Sequence, residues 1–282
     1  MPTKVSTAHG QVEVYPLLGT DAVHGNQHVV GEVLFPHNIG LAATHDMTLF
    51  RAIGYHMAKS VKESGWNFAF APTVAVSHNY QWGRSYETLG TDPTFIKDYA
   101  REFVLGAQMP NYYTGKWEGV LASVKHFIGD GSTYLGLDKG NATVHNFKAF
   151  KDVNMAGYHG GIEACAGNVM CSYSAVNNIH MSLNAELIER ELKEQAGFEG
   201  FVISDYDEIA KLSDGGYPSS NIKLKDQAAA LIGIINSGVD MMMLAGFNNV
   251  MTLSFFRDTL LNAVQNGEIS RDRIDDAVTR IL

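Results

Sequence analysis

The chain has 282 residues, 45% of them hydrophobic, so it can bury a sizeable core and suits one large α/β domain better than two small ones. Asp and Glu number 30 against 21 Lys and Arg, a formal charge of −9 with no block of like charge, which argues against a nucleic-acid partner. No apolar run reaches membrane-spanning length, and Cys165 and Cys171, lacking C-x-x-C spacing, define neither a disulfide framework nor a zinc site.

Predicted strands and helices alternate along the chain. Val12–Thr20 reads as the first strand. Met47–Ser64 follows as a helix, with Leu49, Ile53, Met57 and Val61 at four-residue spacing and Gly65 as its stop. Next come strand Asn67–Val74, helix Pro93–Ala107, strand Gly119–Phe127, helix Phe147–Cys165 and strand Asn168–Tyr173. The remainder is helix Asn184–Ala196, strand Gly200–Ser204, helix Lys225–Ser237, strand Val239–Leu244, and helices Thr252–Asn266 and Arg271–Leu282. Apolar strands each followed by a helix imply a parallel sheet with right-handed crossovers. No G-x-G-x-x-G opens a helix after the first strand, which favours a (β/α)8 barrel of the TIM type over an open nucleotide-binding sheet. A complete barrel needs eight strands, and these six leave it incomplete, with the first unit expected to be missing at the N-terminus.

Polar clusters fall at the C-terminal ends of these strands, the face on which barrel enzymes carry their chemistry. They are Asp21 and His24, then Arg84 to Glu87, then Lys125 and His126 with Asp130, then Tyr173, and finally Asp205 and Tyr206. Singly, each has a plain structural reading: Asp21 as a turn residue, Arg84 as an ion-pair partner, Lys125-His126 as a solvated strand end, Asp205 as a helix cap. Together they describe a pocket for a neutral, hydroxyl-rich ligand. Asp21 would accept from neighbouring hydroxyls, while Arg84, Lys125 and His126 donate. Tyr173, Tyr206 and Trp82 offer flat walls for a sugar ring. Asp205 is left as the nucleophile, kept ionised by Lys125 and Arg84. The 11 histidines include His24 and His28 at four-residue spacing, but Gly25 and Asn26 disfavour helix there and no H-E-x-x-H occurs. No metal and no cofactor is expected.

Six segments in order, G-T-D-A-V-H-G, F-P-H-N-I-G-L, F-A-P-T-V-A-V, W-G-R-S-Y-E, K-H-F-I-G-D-G and V-I-S-D-Y, resemble the N-terminal catalytic domain of glycoside hydrolase family 3, over Thr20 to Leu282. The nearest likeness is to the β-glucosidase and exo-β-glucan glucohydrolase branch. The resemblance implies a retaining hydrolase of β-glucosides or β-glucan oligosaccharides, with Asp205 forming a glycosyl-enzyme. Asp21, Arg84, Lys125, His126 and Tyr173 would hold the terminal glucose. Tyr206 replaces the family's usual tryptophan, and Lys139 stands at a variable position. The β-N-acetylglucosaminidase branch carries P-G-H-G where this chain has Ile128-Gly-Asp130-Gly, and is disfavoured.

Retaining hydrolysis needs a second carboxylate, about 5–5.5 Å from the first, as acid/base. Glu87, Asp207 and Glu208 are the sequence candidates, and none is convincing, since Glu208 is better placed to begin a helix. The resemblance implies that a following α/β domain carries this glutamate, so residues 1–282 are expected to form one barrel domain without it. A secreted or periplasmic setting is also implied, although Met1–Ser6 has no signal-peptide core. Two other readings share the pocket: a non-catalytic glucose-binding barrel, and a Schiff-base aldolase using Lys125.

Overall fold

The computed structural model describes residues 3–7, 10–213, 226–245 and 252–282. Five short strands form one sheet: β1 (Gly19–Thr20), β2 (Phe68–Ala69), β3 (Leu121–Phe127), β4 (Asn168–Cys171) and β5 (Phe201–Ile203). Each is parallel to its neighbours and they lie side by side in chain order, the strand order of a barrel wall. Among the described residues the sheet does not close.

Two expected strands change character. Val12–Thr20 is not one strand: Gly10–Val14 pairs antiparallel with Thr3–Thr7, and only Gly19–Thr20 joins the parallel sheet. Pro16 lacks an N–H, and the Asn67 side chain takes over the intervening backbone, donating to the Pro16 carbonyl at 2.9 Å and accepting from Leu18 N at 2.6 Å. Val239–Leu244 makes only a single parallel bridge, Ile203 to Met241. The second strand is also shorter than expected, because Pro72 interrupts it. Its pairing with β3 continues irregularly through Val74 N to the Lys125 carbonyl at 2.9 Å.

The helices largely match expectation. Met47–Glu63 is capped by Asp46, whose carboxylate accepts from Thr48 N and Leu49 N, and Pro93–Gln108 by Asp92 in the same way. Their glycines let them approach closely. A Cβ on Gly54 would lie 2.4 Å from the Phe103 carbonyl oxygen, and one on Gly106 2.1 Å from that of Arg51. The Phe147–Cys165 segment is two helices, Phe147–Asn154 and Ala156–Glu163. Glu186–Gln195 is π-helical. Gln227–Asn236, Leu253–Gln265 and Arg271–Ile281 fall at the last three expected positions, and Lys225 lies outside the described residues.

Side chains alternate across the sheet as a pleat requires. Phe68, Met170, Phe201 and Ile203 form a small cluster on one face, and Ala69, Ala122, Val124, Val169 and Val202 join the large core under the helices on the other. Beside β5 the packing is held by charge. Asp240, fully buried, accepts from Val202 N at 2.7 Å and from Lys193 Nζ at 3.0 Å, and it pairs with Arg273. Removing one partner from a buried charge set strands the others. Asp240→Ala is therefore expected to destabilise the domain by about 3–5 kcal/mol, read from the shift in urea midpoint.

Candidate active site

The site is built around an irregularity in β3. Lys125 pairs with Met170 and Phe127 with Cys171, so the ladder to β4 has a bulge at His126. In a regular strand Lys125 and His126 would face opposite sides of the sheet. Instead Phe127 takes the helix-facing position, packed against the Tyr158 ring at 5.0 Å, and both polar residues serve the same end of the sheet.

Lys125 Nζ donates to Asp21 Oδ1 at 2.8 Å, joining the ends of β3 and β1. Burial opposes ionisation of Asp21, but Lys125, with His126 and His28, outweighs it and holds the carboxyl below its usual range. His126 Nε2 lies 4.0 Å from Asp205 Oδ2, at the end of β5. Its Nδ1 is 3.1 Å from Asp130 Oδ2. Asp130 is buried and accepts from Ser172 Oγ and, at 3.0 Å, from Ser174 Oγ. Burial raises its pKa, and His126, Ser172 and Arg84 together bring it below the usual carboxylate range.

Arg84 grips Glu87 through two parallel hydrogen bonds of 2.8 and 2.7 Å. Burial disfavours both charges, yet each holds the other ionised: the Arg84 pKa is raised and that of Glu87 lowered. Lys125 and Arg84 are thus paired with Asp21 and Glu87 rather than with Asp205. Among the described residues His126 and Lys211 lie nearest Asp205; burial draws the Lys211 pKa below its usual value, against the opposing pull of Asp205.

On the outer side, the Tyr173 hydroxyl donates to the Tyr206 carbonyl, and Lys211 Nζ donates to the Tyr173 hydroxyl and, at 2.7 Å, to that same carbonyl. Lys211 lies 3.7 Å and Lys139 5.1 Å from the Tyr173 ring centroid. Tyr206 is 47% exposed. Trp82, by contrast, is buried, its indole N–H turned to Asp138 at 3.2 Å. Asp205 does not cap a helix, since its Oδ1 accepts from Tyr206 N at 2.6 Å and the next helix begins at Glu208.

Seven polar residues from four strand ends therefore converge: Asp21, Arg84, Glu87, Lys125, His126, Asp130 and Asp205. The family model for the glycosyl hydrolase family 3 N-terminal domain matches residues 3–282. The chain belongs to this family. It is 37% identical to an exo-1,3/1,4-beta-glucanase of a Pseudoalteromonas species, with a TM-score of 0.83 over 96% of this chain and 32% of that one. Among curated proteins, a periplasmic beta-glucosidase of Salmonella typhimurium is 27% identical over 93% of this chain, and beta-glucosidase 2 of Saccharomycopsis fibuligera is 29% identical over 88%. The chain spans 31% and 27% of those two proteins. The expected α/β architecture of TIM-barrel type is that of the family's N-terminal domain.

The roles of three groups in this site escaped sequence reasoning. Asp130 was visible in the G-D-G segment, but nothing local marks it as the buried partner of His126. Glu87 stands three residues after Arg84, the spacing of a turn-borne ion pair. Lys211 is one helical turn beyond Glu208 and gives no sequence signal. Among the described residues no three His, Cys, Asp or Glu side chains gather as metal ligands.

The depressed carboxyls set an acid limit on stability. Their contribution is complete above the ordinary values of 3.8 for Asp and 4.5 for Glu, and is lost as pH falls through the lower folded values. The melting temperature is expected to drop as pH falls below about 5 and on through the ordinary carboxylate values, with a shallower slope in Asp130→Asn.

Proposed function

We propose that this domain is the nucleophile-bearing part of a retaining β-glucosidase-type hydrolase. The observation that carries the reading is the Asp205 carboxyl at the end of β5, its side chain 13% exposed, with His126 Nε2 4.0 Å from one oxygen. Asp205 attacks the anomeric carbon of a β-glucoside. The glycosyl ester bond forms as the bond to the leaving oxygen breaks, and water later releases glucose. Asp21, Arg84, Lys125 and His126 bind the sugar hydroxyls, and Tyr173 and Tyr206 flank the ring. Because Lys125 and Arg84 already hold carboxylates, they present ordered donors that need no reorganisation when sugar arrives.

None of the three carboxyls considered for acid/base duty suits it. Glu87 is kept ionised by Arg84, Glu208 has no exposed surface, and Asp207 sits at a left-handed φ of 57°, its N–H bonded to the Met243 carbonyl. We place the acid outside the described residues. The expectation that it comes from a following α/β domain is consistent with relatives about three times as long as this chain. The aldolase reading has less support, since Lys125 Nζ is committed to Asp21.

An activated leaving group needs little protonation. This chain should release nitrophenol slowly from an aryl β-glucoside and leave cellobiose essentially intact. Efficient cellobiose turnover would overturn the placement of the acid. Asp205→Asn should lower nitrophenol release by on the order of 10³-fold with the fold intact. A 2-fluoro-glucoside should label Asp205, seen by mass spectrometry of the digested protein. Glucose binding without label would point to the non-catalytic barrel instead.

A further inference from the structure

Behind Asp205 lies a buried polar cluster that the reaction above leaves unused. Glu208 begins the helix Glu208–Ser213, and its side chain and that of His180 are both 0% exposed. Ser182 Oγ donates to Glu208 Oε1 at 2.9 Å, and His180 Nδ1 lies 3.0 Å from Ser182 Oγ and 3.1 Å from Glu208 Oε1. Since the serine hydroxyl donates to Glu208, the hydrogen between His180 and Ser182 belongs on Nδ1. Glu208 Oε2 is buried and receives no hydrogen bond. A carboxylate with one oxygen sealed from water and undonated is a costly place for a charge, whereas the same oxygen readily carries a proton.

We propose that Glu208 is a positioning residue of this site, holding a proton beside His180 and Ser182 and tying the turn that carries Asp205 to the segment after β4. The proposal rests on Asp205 as the nucleophile. Asp205, Lys211, Lys139, His180 and Cys171 are the titratable groups that face the cluster. Burial, with Asp205 adding to it, pushes the Glu208 carboxyl well above the usual range against the opposing hydrogen bond from Ser182. Burial likewise draws His180 down to about 4. At neutral pH the pair is uncharged, so no second negative charge lies behind Asp205. Two carboxyls in one site do not both ionise cheaply. Ionising Glu208 at high pH would put a second negative charge behind Asp205, repelling it and loosening its turn.

Glutamine mimics the neutral acid, so Glu208→Gln separates this role from a need for bulk or charge. Infrared spectroscopy of the chain at neutral pH should show a protonated-carboxyl C=O band that is absent from Glu208→Gln. The rate of Asp205 labelling by a 2-fluoro-glucoside should fall on the alkaline side in the original protein. In Glu208→Gln it should stay within about threefold at neutral pH and lose that alkaline fall. Glu208→Ala, unable to accept from Ser182, should label slowly at every pH. An unchanged infrared band in Glu208→Gln, or the same alkaline fall in that variant, would overturn the proposal. Absence of labelling in the original protein would remove Asp205 as nucleophile and the positioning role with it. The infrared band would still decide separately whether Glu208 holds a proton.

Discussion

Between Lys125 and Phe127 the ladder of β3 slips against β4 by one residue, and the site depends on that slip. A regular pleat would send one of Lys125 and His126 under the helices, where a cation or an imidazole would need a buried partner. The bulge instead brings Lys125 to Asp21 and His126 to Asp205, spanning the ends of β1, β3 and β5 from two consecutive residues. Phe127 keeps the apolar position facing Tyr158, so the core loses nothing by the change.

Charge in the site is settled before any ligand enters. Each strong cation has its own carboxylate, Lys125 with Asp21 and Arg84 with Glu87, and Asp130 takes two serine hydroxyls. Partly buried ions tolerate burial only when paired or well hydrogen-bonded, so these contacts are a condition of folding as well as of binding. The result is a rim of fixed dipoles and oriented donors. Asp205 has no such dedicated cation among the described residues.

The two carboxyls Asp205 and Glu208, three residues apart, have opposite surroundings. One is partly open at the strand end, the other sealed beneath it with Ser182 and His180. The turn from Ser204 to Asp207 is held at both ends. Ser204 Oγ accepts from Met243 N at 2.9 Å, and Glu208 is anchored by Ser182.

Much was legible along the chain. Apolar periodicity marked the helices Met47–Glu63 and Pro93–Gln108 and the buried strands β3, β4 and β5, because burial on one stripe or on both faces leaves its imprint on residue order. The polar strand ends, read with the six family segments, marked Asp21, Arg84, Lys125, His126, Tyr173, Asp205 and Tyr206 as a group. Other features depended on contacts distant in sequence. The side chain of Asn67 organises the backbone around Pro16, which split the first expected strand, and Trp82 turned inward to Asp138. The pairings of Lys125 with Asp21, 104 residues apart, and of Ser182 with Glu208, 26 apart, arise only when the sheet assembles. Local sequence thus determined which residues lie at strand ends. Tertiary packing decided their partners and charges, since both depend on burial and on neighbours brought in by other strands.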